Sequence, residues 1–585
     1  MKLIEALAIR RNQSPGDRTF HVVLACSYTP LHLLTFLRAH LSRRLPERYV
    51  EIRAGLYGDL TGTLRMAGQE PADAVVLALE WPDLDPRLGI RQLGGWEPER
   101  LPELAEEAQR RLAQLRALAA DLARRTPVVV SLPGLPLPPV AFQPGRQQSL
   151  LEAELDRLLA QFSAELVAEA GVLVLNPRAL DQVSPPGSRH DVKAELASGF
   201  PYELTHADAL AGLLAELLVP PAPKKGLITD LDDTLWRGIV GDEGVRGVAW
   251  DLEHHAQIHG YYQQILRSLA RTGVLVGVAS KNDPAIVAQA LARPDLLLQG
   301  DDLFPVEAGW GPKSEAVARI LKVWNIGADS VVFIDDSPME IEEVRRAHPE
   351  MECILFPKQD VAAVYQLGYR LRNLFGKSEV RPEDGIRAQS LRANRELEHA
   401  AGAAADMESF LRDAGAHLTL SWLRPPMEPR ILELINKTNQ FNINGRRYGE
   451  AEWRAFTERP ETEVLLAEYR DKYGPLGKIA VLAGTRREQR FVIDTWVISC
   501  RAFSRRIEHH MLREAFDRHG SVEVELAFQA TERNGPAAGF LAALLETPLP
   551  VGRLVLSREQ FTASCPMLYH AREEHMPSVE TIAAE

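Results

Sequence analysis

"LITDLDDTLWRG", residues Leu227–Gly238, places Asp230, Asp232 and Asp233 within four residues. Carboxylates that close repel one another unless a cation or a proton stands between them. The cluster therefore marks either a metal site or a solvated turn, and the rest of the chain decides which.

Two other apolar runs share the pattern of a buried strand ending in a polar group. "VLVGVAS" closes on Ser280, and "SVVFIDD" closes on Asp335 and Asp336. Continuous apolar runs of this kind belong to parallel sheets covered on both faces, and such sheets bind ligands at the carboxyl ends of their strands. The helix "KSEAVARILKVW" brings Lys313 on its first turn, with Val317, Ile320, Leu321 and Trp324 at helical spacing. In "AQIHGYYQQILRSLARTG", Ile258, Tyr262, Ile265, Leu266 and Leu269 define the expected inner face, and Gly273 is the expected terminator. Asp283 is expected to cap a helix opening at Pro284. Asp230, Asp232, Ser280, Asp335, Asp336 and Lys313 would thus converge, a hard-oxygen set that suits Mg2+ with substrate phosphate and water.

At 585 residues the chain should divide into several domains. A hydrophobic fraction of 45% and a charged fraction of 25% are ordinary for a globular protein. The formal net charge of -13 argues against a nucleic-acid or anionic-membrane binder. "MKLIEALAIRRNQSPGD" lacks a long apolar stretch, and no apolar run reaches the ~18 residues of a membrane span, so a cytoplasmic location is expected. Cys26, Cys353, Cys500 and Cys565 are too scattered for a disulfide framework or a structural zinc site.

Proline-rich stretches, "SLPGLPLPPVAFQPG" and "LLVPPAPKKG", read as extended loops or linkers, the second being the better boundary. Ahead of it, "HVVLAC", "ADAVVLALE", "TPVVVSL" and "GVLVLN" alternate with helical segments, again a parallel α/β pattern. Beyond Arg381 the chain reads as a polar helical connector, followed by strands "FVIDTWVISC" and "VEVELAFQ" around the helix "RRIEHHMLREAFDRHG". The expected domains are 1–219, 220–380, a connector 381–416, and 417–585.

The middle motifs resemble, in order, the four motifs of the haloacid dehalogenase superfamily: "DLDDT", Ser280, Lys313, and the pair Asp335 and Asp336. The resemblance implies a Rossmann-like core in which Asp230 attacks a phosphoryl group and Asp232 protonates the leaving oxygen, then activates water. It also implies that Ser280 and Lys313 hold phosphoryl oxygens, and that Mg2+ is bound by Asp230, Asp335, Asp336 and the carbonyl of Asp232. Thr234, Lys281 and Asn282 are the neighbouring substrate contacts so implied. Asp233, which the motif leaves variable, is expected to be a solvated turn residue. The short interval between the first two motifs leaves no room for a large cap domain.

"DLDDTLWRGIVGDEGVRGV", "ASKND", "FIDDSPMEIEEVR", "RPEDGIRAQSLRANRELE", "INKTNQFNINGRRY", "DKYGPLGKIAVL" and "IDTWVISCRAFSRRIEHHML" are similar to the FkbH-like branch of that superfamily, subfamily IIIC. That branch transfers the glyceryl unit of 1,3-bisphosphoglycerate to the phosphopantetheine thiol of an acyl carrier protein with loss of phosphate, for polyketide-type pathways. The implied partners are an acyl carrier protein and a phosphorylated three-carbon substrate. The alternatives are a Mg2+-dependent phosphatase of a small metabolite with a separate acyltransferase domain, and a non-catalytic docking platform.

The C-terminal segment resembles acyl-CoA-dependent N-acetyltransferases (GNAT-like), although "RAFSRRIE" replaces their glycine-rich pyrophosphate loop. Cys500 beside Arg501 is a candidate acyl-thioester nucleophile, or else a buried strand cysteine. "INKTNQFNING" either holds substrate, with Asn439 as a contact, or is a hydrogen-bonded loop. "HVVLACSYTPLHLL" loosely resembles an SGNH-type esterase turn at Ser27, for which His190, Asp191 and His206 are candidate partners; a docking or structural role is the alternative.

Overall fold

The computed structural model describes the chain except residues 13–17, 70, 299–301, 378–411, 413, 439, 473, 488–489, 500–501, 503–504, 521, 532–533, 546–548, 550–551 and 575–585. Two compact units result, Met1–Pro221 and Ala222–Glu585. The connector expected over 381–416 lies almost wholly outside the described residues.

In the first unit, strands β1 (Thr19–Ala25), β2 (Tyr49–Ala54), β3 (Ala74–Ala78), β4 (Val128–Ser131) and β5 (Val172–Val174) form an all-parallel sheet ordered β2-β1-β3-β4-β5. Alternate residues feed opposite cores: Val22 and Leu24 pack in one, Val23 and Ala25 in the other. Burial on both faces is what the apolar runs encode. "SLPGLPLPPVAFQPG" stays inside this unit.

The second unit opens with another all-parallel sheet, β6 (Gly226–Thr229), β7 (Leu275–Ser280), β8 (Val306–Ala308), β9 (Val331–Asp335) and β10 (Glu352–Leu355), ordered β10-β9-β6-β7-β8. Helices Gln257–Arg271 and Val361–Phe375 cover one face through Tyr262, Leu266, Leu367 and Leu371. Helices Lys313–Trp324 and Pro338–Ala347 cover the other through Val317, Ile320, Trp324 and Ile341. Glycine decides how closely that second layer packs: a Cβ on Gly226 or Gly277 would lie 2.6 or 2.8 Å from the Trp324 ring.

From β6 the chain runs to β7 on one side, while β9 lies on the other. That reversal opens a crevice at the carboxyl ends of β6 and β9. Between β6 and β7 the helical elements are only Val240–Glu243 and Gln257–Arg271, so the crevice carries no inserted cap there.

The remaining sheet is mixed: β11 (His417–Leu423), β12 (Phe441–Asn442), β13 (Thr462–Asp471), β14 (Gly474–Arg487), β15 (Arg490–Ile498), β16 (Glu523–Leu526), β17 (Leu554–Ser557) and β18 (Ala571–Glu574). β13, β14 and β15 are antiparallel, whereas β16 runs parallel to β15 after the crossover helix Ile507–His519. On β15, the partners of β16 are Arg490–Ile493, and its other edge pairs with β17. Further along β15, β12 pairs antiparallel with Val497 and Ile498.

Candidate functional site

Asp230 is the first residue past β6, and its amide donates to the carbonyl of Ile334 on β9 (2.9 Å), which sets it beside Asp335. One carboxylate oxygen from each of Asp230, Asp335 and Asp336 lies within 4.8 Å of the others. Three hard anionic donors at that spacing fit a divalent cation such as Mg2+ or Ca2+.

Lys313 begins its helix at the same point. Its Nζ is 2.8 Å from Asp230 Oδ1 and 2.5 Å from Asp335 Oδ2, and it also pairs with Glu340. The ammonium is 3% exposed and Asp335 is 0% exposed. Burial raises Asp230 to about 6 and Asp335 to about 7, with Lys313 opposing the rise in both. Two buried aspartates share one cation, so pairing cannot satisfy both. For Lys313, burial favours the neutral form, but Asp230, Asp335 and Glu340 outweigh it and raise the pKa. Burial would raise Glu340 too, yet Lys313 holds it below its ordinary value.

Asp232 faces another set of partners. Trp236 Nε1 (2.9 Å) and the Val240 amide (3.0 Å) donate to Oδ1, and Asn282 Nδ2 donates to Oδ2 (2.9 Å). Asn282 also donates to Ser280 Oγ (3.0 Å), tying the ends of β6 and β7 together. Lys281 Nζ lies 3.2 Å from Glu340 and 3.9 Å from Glu343. Thr234 is buried; its carbonyl accepts from His259 Nδ1 (3.0 Å), and its hydroxyl has no hydrogen-bond partner.

Asp233 lies in a turn with its side chain partly exposed, as expected, and is tied to two partners as well. Its backbone is left-handed (φ 52°), Oδ1 accepts from the Gly238 amide (2.9 Å), and Oδ2 lies 2.7 Å from Lys358. An ion pair thus closes the turn. Sequence reasoning overlooked two participants, Glu340 and Lys358. Glu340 had a readable signal, an acid in the first turn of the helix after the Asp335–Asp336 pair. Lys358, isolated in "FPKQD", had none.

Cys500, Arg501 and Asn439 lie outside the described residues. The amides near Asn439 are engaged within the protein: Asn442 Nδ2 donates to Thr438 O, while Asn444 Nδ2 donates to the carbonyls of Asp494 (2.8 Å) and Ala527 (3.0 Å). Asn534 Nδ2 donates to Asn442 O (3.0 Å). These contacts staple β12 into the gap where β15 and β16 part.

In the first unit, Ser27 follows β1 and hydrogen-bonds Asp83. His190 bonds Glu195, His206 Nδ1 bonds Ser184 Oγ (2.9 Å), and Asp191 caps the helix Val192–Ser198. The triad candidates are therefore committed to other partners.

No protein-family model matches the chain, and no curated protein matches it. Among solved structures, it is similar to the N-terminal part of BF1531 from Bacteroides fragilis, described as containing a phosphatase domain complexed with Mg. The match covers 65% of this chain and 100% of that one at 20% identity, with a TM-score of 0.50. That likeness shows a shared fold. An uncharacterised protein from Corynebacterium glutamicum matches over 26% of this chain and 98% of its own, at 18% identity and a TM-score of 0.18. Nourseothricin acetyltransferase matches over 25% and 99%, at 10% identity and a TM-score of 0.16. Likenesses that slight carry no argument. Among the described residues, no helix is long and apolar enough to cross a membrane.

Proposed function

We propose that the chain is a Mg2+-dependent phosphohydrolase of the haloacid dehalogenase type, with Asp230 as its phosphoryl acceptor. The observation that supports this most is the convergence of Asp230, Asp335, Asp336 and Lys313 in the crevice between β6 and β9. BF1531, which shares the fold, was crystallised with Mg. Asp230, Asp335 and Asp336 would hold the cation, which when bound offsets negative charge on the phosphoryl group.

The remaining roles belong to the chain. Asp230 attacks phosphorus and forms an aspartyl-phosphate as the leaving oxygen departs. Asp232 supplies a proton to that oxygen, then takes one from the water that cleaves the intermediate. Lys313 and Ser280 hold the phosphoryl oxygens, and Lys281 extends the cationic rim. Where binding draws Asp230 and Asp335 away from Lys313, Glu340 remains as its anchor.

In its finer form, the reading is glyceryl transfer from 1,3-bisphosphoglycerate to the phosphopantetheine thiol of an acyl carrier protein, with dephosphorylation, in the cytoplasm. Its support is the similarity to FkbH-like sequences on either side of the phosphatase motifs.

Intact-protein mass spectrometry of a holo acyl carrier protein, incubated with the enzyme, Mg2+ and 1,3-bisphosphoglycerate generated in place, separates the two. A glyceryl increment on the carrier supports transfer. Phosphate release with an unmodified carrier leaves the phosphatase alone.

A further inference from the structure

Asp336 is the outermost of the three clustered carboxylates, and its orientation is set from outside the cluster. The chain leaving β10 passes the edge of the crevice, where the Phe356 amide donates to the Asp335 carbonyl (2.7 Å). Phe356 is buried, its ring 5.1 Å from that of Tyr262 and 5.6 Å from that of His259. That anchor delivers Lys358 two residues later. Its Nζ lies 2.7 Å from Asp336 Oδ2 and 2.7 Å from Asp233 Oδ2. Asp233 is itself fixed, because its other oxygen accepts from the Gly238 amide.

We infer that Lys358 is a positioning residue for the cation site, holding Asp336 in its ligating orientation by clamping it to Asp233. The inference rests on the proposal that Asp230, Asp335 and Asp336 take the cation. Two effects give the clamp its force. An ammonium on one oxygen restricts rotation of the carboxylate, and it offsets repulsion from Asp230, Asp335 and Asp233, which would otherwise favour swinging Asp336 toward solvent. Groups that orient metal ligands in this way typically change metal affinity by ~10–100-fold when removed.

The test is isothermal titration of Mg2+ into the metal-free full chain, with Mn2+ paramagnetic resonance as a second readout. Lys358→Met is expected to weaken cation binding by at least ~10-fold, and Lys358→Arg to retain most of it. Asp233→Asn should weaken it by a smaller factor, because Lys358 still contacts Asp336. The metal-free melting temperature of each variant reports folding, and Lys358→Gln replaces any variant that does not fold. Unchanged or tighter binding in Lys358→Met, with wild-type protein binding normally, overturns the clamp alone. Failure of wild-type protein to bind either ion overturns the underlying site proposal instead.

Discussion

Asp335 and Lys313 meet at 2.5 Å inside the protein, joining the end of β9 to the first turn of a helix on the sheet's second layer. The contact holds the site together at a cost, because burial keeps Asp335 at about 7 instead of its ordinary 3.8.

That shift sets a pH dependence. Below about pH 3.8 the folded and unfolded chains both carry the proton, and the folded state has its full advantage. Between about 3.8 and 7 the unfolded chain releases the proton while the folded chain retains it, so rising pH destabilises the metal-free protein. Asp230, raised to about 6, acts in the same direction. Thermal melts in EDTA across this range should show a falling melting temperature, and Asp335→Asn should make the fall shallower. An equal slope in that variant would remove Asp335 as its source.

Asp232 is proposed to protonate the leaving oxygen, so its importance should follow leaving-group basicity. Asp232→Asn should slow hydrolysis of an alkyl phosphate by ~10²–10⁴-fold and that of an acyl or aryl phosphate much less, since their leaving groups need little protonation. Equal losses on both substrates in steady-state phosphate assays would contradict the acid role.

Gly277 sits under the Trp324 ring, where a Cβ would be 2.8 Å from Cζ2. Overpacking of this kind costs ~1–3 kcal/mol, so Gly277→Ala should lower stability in urea or thermal unfolding. Combining it with Trp324→Phe should cost less than the two changes summed, because the smaller ring removes the clash.

Asn444 bridges the carbonyls of Asp494 and Ala527 at the parting of β15 and β16. Asn444→Ala should cost ~1–3 kcal/mol through the lost partners. Hydrogen exchange should quicken at Ile443 and Gln529, whose amides pair with Trp496 and with Ile443. Unchanged exchange there would show that β12 is held by other contacts.

β6, β7 and β9 were legible because burial on both faces leaves an uninterrupted apolar run. Asp283 and Gly273 were legible because each supplies a backbone need: a side-chain cap for Ala285 and Ile286, and a left-handed conformation (φ 83°). The helix Gln257–Arg271 packs its expected face on the core, with Tyr262 and Leu266 buried and Ile258, Ile265 and Leu269 partly buried against it, and it buries His259 and Gln263 as well. His259 Nδ1 and Gln263 Nε2 turn inward to meet the carbonyls of Thr234 and Leu235, a polar demand that hydrophobic spacing does not record. The edge strand "YVEIRA" was not singled out because it alternates instead of running apolar. β12 is two residues long and exists only through long-range pairing. Within the site, the four motifs marked strand and helix ends; Lys358 reached it through the register of β10 on β9, which no local pattern encodes.

Phosphate release by wild-type protein and Asp230→Asn, each assayed with Mg2+ and with EDTA on a three-carbon phosphorylated acid, tests the central claim most directly. The account predicts release by wild-type protein only with Mg2+, and a loss of ~10³-fold or more in the folded variant, whose amide cannot accept the phosphoryl group. Release by Asp230→Asn at the wild-type rate, or undiminished release in EDTA, would contradict it.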